Sequence, residues 1–341
     1  MKRIFITGLM MAATAISALA QDGKLSVSGV IDTYGTTQFT EKAGTPGLLV
    51  DEPTEAVAFG LGAANTIFSY EDGKAGMVSD LSFGPRASDA NMGDYINQLY
   101  AYYNLSESVT VTAGQFNTFL GYEVINPSSN FNYTVSYLFN AGPFSHTGVK
   151  LDIAASEDLS FMLAVTNGHA INSADLNGNG ELQLGTQIGY KGQYLNFVYG
   201  NVSNEADNTD DNIFIDYTGG FDVSETFYVG INAAYSYSAD AEGGYTGAAL
   251  YLQNSFSDKF ALGLRPEYFE TINTADGAEN TSVFALTLSA NASLTDHLKL
   301  ITDLRYDMSD DKDIEINYVS EDKVNGRTAL TSLTVAAVYS F

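Results

Sequence analysis

The chain has 341 residues, without cysteine or tryptophan, and its 41 Asp and Glu outnumber 15 Lys and Arg to leave a formal charge of -26. So large an acid excess repels phosphates and argues against nucleic-acid binding, and the lack of cysteine removes disulfides and a lipid anchor on a leading cysteine. Its 22 Tyr and 20 Phe separate it from acidic disordered chains, which are poor in aromatics.

At the start, Met1-Lys2-Arg3 is a short positive segment and Ile4 to Ile16 is apolar and uncharged. Ala18-Leu19-Ala20 follows with the small-x-small spacing of a signal-peptidase site. Residues 1–20 therefore read as a cleaved signal peptide, leaving 21–341 as the mature chain, more acidic still for the loss of Lys2 and Arg3. The apolar stretch is too short and wrongly flanked for a permanent membrane helix, and nothing after it supplies about 18 consecutive apolar residues. A membrane β-barrel escapes that test, because its strands alternate lipid-facing with lumen-facing residues.

Along the mature chain, segments of roughly ten residues alternate in polarity and are divided by turn residues. In Leu298 to Asp307, one face carries Leu298, Leu300, Leu304 and Tyr306, and the other Lys299, Asp303, Arg305 and Asp307. A period of two gives one oily and one ionic face, whereas a helix would spread those charges around its circumference. Phe260, Leu262, Leu264 and Tyr268 alternate likewise with Ala261, Gly263, Arg265 and Glu267, and Phe284 to Asn291 repeats the pattern.

The connections sort into two kinds. Short turns fall at 71–73, 106–107, 157–158, 191–192, 222–224, 257–258 and 295–296. Longer polar stretches fall at 40–57, 87–94, 118–145, 169–180, 204–210, 239–243, 273–279 and 309–326. Short and long alternate, which predicts about 16 strands in an all-β, antiparallel up-and-down transmembrane barrel with short periplasmic turns, long outer loops and both termini periplasmic. A soluble sandwich has no reason to sort its loops by side.

The final strand places Thr331, Leu333, Val335, Ala337, Tyr339 and Phe341 on one face. It resembles the aromatic-ended strand by which outer-membrane barrels address their insertion machinery. Pairing with the first mature strand, Leu25 to Gln38, would leave no open edge in lipid.

The segment 98–150 carries Gln98-Leu99-Tyr100-Ala101-Tyr102-Tyr103, Gly114-Gln115-Phe116, Gly121-Tyr122-Glu123-Val124-Ile125-Asn126-Pro127, Asn132-Tyr133-Thr134-Val135-Ser136-Tyr137 and Pro143-Phe144-Ser145-His146-Thr147-Gly148-Val149-Lys150. With Gly29-Val30-Ile31-Asp32-Thr33-Tyr34 and Phe83-Gly84-Pro85-Arg86, it resembles the OmpL-like β-barrel porin family over about the first half of the mature chain. The resemblance implies an outer-membrane porin. Tyr or Phe stands here where family members often have Trp, so no substrate preference is carried over.

The longest loop, 118–145, is rich in Asn, Tyr and Phe rather than Asp, which suits a segment folded into the lumen as a constriction better than a solvated flap. Its expected contributors are Tyr122, Glu123, Asn130, Asn132, Tyr133 and Tyr137. Strand parity places Asp32, Asp80, Arg86, Lys150, Asp152, Arg265, Glu267, Lys299, Asp303 and Arg305 toward the lumen as pore-lining residues, since Arg or Lys on the lipid side costs about 2–4 kcal/mol near mid-bilayer. Acidic loops at 207–211 and 310–313 draw cations to the mouth, giving a mild cation preference. Asp175, Asn177 and Asn179 match the first half of a calcium loop, but Thr186 stands where the bidentate Glu belongs, so weak extracellular calcium binding competes with an ordinary Asx- and Gly-rich loop. No other cofactor is expected.

Enzyme chemistry has little to work with: the histidines are His146, His169 and His297 only. Ser145 and His146 are adjacent and face opposite sides of a strand, which disfavours a nucleophile and base pair. The reading is a non-enzymatic channel for small hydrophilic solutes or ions, exported to the outer membrane and embedded in its lipid. A surface-binding barrel of adhesin type is the alternative, with a barrel lipid hydrolase behind it. A homo-oligomer fits either, and no motif separates one copy from three.

Overall fold

The computed structural model describes residues 23–39, 46–49, 57–90, 95–167, 182–200, 212–239, 242–274, 279–309, 314–315, 323–324 and 329–341. Sixteen strands close into one antiparallel barrel. They are β1 (Lys24–Gln38), β2 (Val57–Asp72), β3 (Ala75–Phe83), β4 (Ile96–Ser106), β5 (Val109–Asn117), β6 (Ser145–Ala154), β7 (Leu159–Asn167), β8 (Leu182–Tyr190), β9 (Gln193–Gly200), β10 (Asn212–Asp222), β11 (Phe227–Ser238), β12 (Gly243–Ser257), β13 (Phe260–Asn273), β14 (Ser282–Ser293), β15 (Leu298–Ser309) and β18 (Ala329–Ser340). The two-residue strands β16 (Ile314–Glu315) and β17 (Lys323–Val324) pair only with each other. Neither helix, α1 (Pro85–Ala90) or α2 (Tyr137–Ala141), is long and apolar enough to cross a membrane. The barrel strands run from 8 to 16 residues, which brackets the roughly 9–11 needed to cross at a tilt.

Alternation decides which way each side chain points. Leu163, Leu184, Ile215, Leu250, Leu288 and Leu304 are exposed on the outside, while their chain neighbours face inward and are mostly polar or small. Tyr70, Tyr103, Tyr190, Phe221, Phe260 and Tyr339 ring the turn end of the outer face, and Tyr95, Tyr199, Tyr235, Tyr268 and Tyr306 ring the other. These are the two aromatic girdles of a barrel in a bilayer. Tyr and Phe make them without any Trp.

Seven short turns join β2 to β3, β4 to β5, β6 to β7, β8 to β9, β10 to β11, β12 to β13 and β14 to β15, all at the end where both termini lie. In the two-residue turn between β8 and β9, Lys191 and Gly192 both have positive φ (51° and 78°), the twist that joins antiparallel strands in two residues. Closure comes from β1 against β18, with Thr33 opposite Ala337 and Ile31 opposite Tyr339. Beyond the ladder, Phe341 exchanges two backbone hydrogen bonds of 3.0 Å with Gly29. A β-carbon at Gly29 would meet the Phe341 ring at 2.7 Å, so glycine makes room for the terminal aromatic.

The strand number and loop sorting match the reading from sequence, with three local differences. The stretch 87–94, expected as a loop, begins inside α1; 118–145 contains α2; and 309–326 holds the β16–β17 pair. Segments of two to six residues give no period long enough to reveal these elements.

Candidate functional site

The 118–145 segment leaves β5 and returns as β6, and its polar groups bond to inward side chains on strands far around the barrel. The Tyr133 hydroxyl donates to Asp32 Oδ2 on β1 at 2.6 Å. Asn132 Nδ2 donates to Ser289 Oγ on β14 at 2.5 Å. The Thr134 backbone N–H and hydroxyl both donate to Asp303 Oδ2 on β15, at 2.7 and 2.8 Å. The Leu138 N–H donates to Glu267 Oε1 on β13 at 2.9 Å. Tyr133, Thr134, Val135 and Ser136 are all 0 % exposed. A backbone so far from solvent must find its partners in protein, and the wall supplies them.

Two arginines complete the grip. Arg265 Nη1 donates to Glu123 Oε1 at 2.5 Å and to the Thr134 carbonyl at 2.6 Å, with Nη2 reaching Val135 and Thr287. Arg305 Nη1 donates to the Val135 carbonyl at 2.7 Å and to Pro46 at 3.2 Å, while its Nε faces Asp307 at 2.8 Å. Glu123 turns its other oxygen to the backbone N–H and hydroxyl of Ser136, which in turn caps α2 by accepting from the Phe139 N–H. One carboxylate thus ties an arginine of the wall to the helix start inside the loop.

Around these bonds lies apolar packing. Leu120, Tyr137, Leu138 and Ala141 join Val198, Phe214, Ala234, Tyr245, Tyr251 and Phe269 of the wall in one cluster. Tyr122 stacks on Tyr251 with ring centres 4.1 Å apart, and its hydroxyl meets that of Tyr228 at 3.1 Å. Asn130 stays within the loop, bonding both backbone groups of Val124.

The residues expected to line a pore divide. Asp32, Asp80, Arg265, Glu267, Asp303 and Arg305 face inward but are at most 2 % exposed. They meet the loop or each other's strands instead of open water. Arg86 reaches the interior from α1, not from a strand, so parity does not account for it; it sits 3.7 Å from Asp32 and 4.6 Å over the Tyr133 ring. Asp80 accepts from Asn65, Asn97 and Gln98. Lys150 and Asp152 form a 2.7 Å pair that stays partly exposed, and Lys299 donates to the Ser128 carbonyl at 3.1 Å.

Sequence reasoning passed over Asp216, which accepts from Asn196, Asn232 and the Gly121 N–H at 2.7–3.1 Å. The alternation Ile213, Ile215, Tyr217 around it was the signal. Asp307 was assigned to the ionic face but not to the lining. A narrow cleft remains between loop and wall, lined by Leu120, Gly121, Gly142, Pro143, Asp216 and Asn232 among others, with about 10 Å³ of room, enough for one water.

His146 points inward, with Nε2 2.9 Å from the Thr118 hydroxyl and its ring stacked on Phe119. Among the described residues no group of three His, Asp or Glu is placed to hold a metal ion. Asp175, Asn177 and Asn179, with His169 and the acidic loops at 207–211 and 310–313, lie outside the described residues.

Solved structures of outer-membrane channels share this architecture. The outer membrane channel DcaP of Acinetobacter baumannii is 12% identical, covering 96% of this chain and 100% of its own, with a TM-score of 0.64. An anion-selective porin from Comamonas acidovorans is 10% identical over 94% and 100%, with a TM-score of 0.63. OmpT of Vibrio cholerae, solved in a trimer form, is 12% identical over 94% and 99%, with a TM-score of 0.59. At such identity the likeness is one of fold. No curated relative matches by sequence. The family described as "Putative beta-barrel porin-2, OmpL-like" matches residues 24–341. With a closed 16-stranded barrel behind that match, the chain belongs to the OmpL-like outer-membrane β-barrel porin family.

Proposed function

We propose that the chain conducts small hydrophilic solutes and ions passively across the outer membrane, with mild cation preference, and that the 118–145 segment is its constriction. Export with residues 1–20 removed, and insertion through the C-terminal strand, complete the reading; the n-region, the Ala18-Leu19-Ala20 site and the Phe341 strand support them. The observation that carries the constriction is the set of bonds from Tyr133, Thr134 and Leu138 to Asp32, Asp303 and Glu267 on the inner wall. Backbone at membrane depth is tolerated where it is buried in protein or lines water, and this segment meets the first condition along 132–138. Single-channel recording of the purified chain in planar bilayers tests the proposal. Ohmic steps smaller than an unobstructed 16-stranded barrel would pass are expected.

A second reading rests on one observation. Toward the long loops, inward side chains such as Gln183, Phe214, Tyr245, Val283, Arg305 and Leu330 are all buried. A barrel filled in this way would serve as a rigid display for outer loops that bind a surface partner. Electrical silence from protein that is folded, by its heat-shifted migration on gels, would favour that reading over conduction.

A further inference from the structure

Most buried charges of the interior are matched by a charge of opposite sign. Arg265 has Glu123 at 2.5 Å, Arg305 has Asp307 at 2.8 Å, and Arg86 has Asp32 at 3.7 Å. Groups so paired present little net field to anything passing them. Asp216 differs. It is 1 % exposed, and its partners are two neutral amides and one backbone N–H: Asn196 Nδ2 at 2.8 Å, Asn232 Nδ2 at 2.7 Å and Gly121 N at 3.1 Å. Among the described residues no Lys, Arg or His forms an ion pair with it.

Three N–H donors aimed at one carboxylate offset part of the cost of burying its charge, and none of them is itself charged. One donor belongs to the loop: Gly121 holds φ at 82°, a conformation that favours glycine and turns its N–H toward the wall. Asp216 therefore sits where loop meets barrel, at the edge of the cleft it lines with Gly121, Gly142, Pro143 and Asn232. Asp80 has a similar amide cradle but does not line this cleft. A charge beside a gap of one water's width acts through protein of low polarisability, where Coulomb terms are several times stronger than in water.

We infer that Asp216 is the selectivity-determining residue of the channel, its uncompensated negative charge favouring small cations over anions at the loop–wall cleft. The inference rests on the channel reading and names the residue behind its cation preference. It also separates two sources of that preference. Acidic side chains in outer loops act through solvent, so about 1 M salt, with a screening length near 3 Å, abolishes their effect. A buried charge at the cleft is screened far less.

The test is the reversal potential of the full chain in planar bilayers under KCl gradients, at about 0.1 M and about 1 M mean concentration. The wild-type protein is expected to keep its cation preference at the higher salt. Asp216→Asn should lower the cation-to-anion permeability ratio at least about threefold at both concentrations, and Asp216→Glu should retain it. An unchanged ratio in Asp216→Asn overturns the inference and leaves the channel standing. Loss of the preference by wild type at high salt overturns it too, with no variant needed. Silence of folded wild-type protein overturns the channel reading and this inference together.

Discussion

Arg265 on β13, Arg305 on β15 and the Lys150–Asp152 pair on β6 all occupy inward positions, and the same alternation put them there. Their surroundings differ. The arginines are 0 % exposed and spend their N–H groups on the backbone of 134–135 and on buried carboxylates. Lys150 and Asp152 keep 25% and 42% of their side chains exposed and bond mainly each other. An inward charge is therefore not automatically a pore charge. Where the loop crosses, it becomes a fastener; where the loop is absent, it stays a solvated pair.

The strongest way to break this contrast is Arg265→Met. It leaves Glu123 buried without its cation and frees the Thr134 carbonyl, a loss of about 3–5 kcal/mol for one partner of a buried pair. The barrel ladder does not depend on Arg265, so the gel shift of the folded barrel should persist. Channel steps should grow larger and noisier. Wild-type steps from this variant would show that the arginine does not hold the loop.

Asp303→Asn comes next. An amide oxygen can still accept from the Thr134 N–H and hydroxyl, but the charge that strengthens both bonds is gone, costing about 1–3 kcal/mol. Hydrogen exchange at 132–136 should quicken while the strand amides of β14 and β15 keep their protection. Tyr133→Phe removes one donor to Asp32 and should cost about 1–2 kcal/mol by the same readout, centred on 131–134. Lys150→Gln is the smallest. A partly exposed pair is worth about 0–1 kcal/mol, so denaturation midpoints should stay within error of wild type. A large shift there would erase the difference between the two walls.

Barrel and loop differ in how far they could be read from residues alone. The faces of β13, β14 and β15, the alternation of turn and loop, and the Phe341 strand depend on near neighbours with a period of two, which a sequence displays directly. The fastening of the loop does not. Glu123 meets Arg265 across 142 positions and Thr134 meets Asp303 across 169, and no spacing rule encodes such a meeting. Composition did mark 118–145 as unusual, because Asn, Tyr and Phe suit buried, hydrogen-bonded backbone. Strand parity fails for Arg86, which stands on a helix of six residues, too short for its period to show. Asp216 is legible by the same period of two, from Ile215 and Tyr217 on either side of it.

The central claim is that the 118–145 segment sits against the inner wall and limits passage. The chain has no cysteine, so one cross-link can be placed without competitors. Asn132→Cys with Ser289→Cys puts thiols on two residues whose side chains meet through a hydrogen bond of 2.5 Å, within reach of a short bis-thiosulfonate bridge. Conductance of this double variant, recorded with and without the bridge, tests the claim most directly. The bridge should form in folded protein and leave small, steady steps of wild-type size, because it holds the loop where Asp303, Glu267 and Arg265 already hold it. Failure of the bridge to form in folded protein, or bridged steps that differ in size from those of wild type, would contradict it.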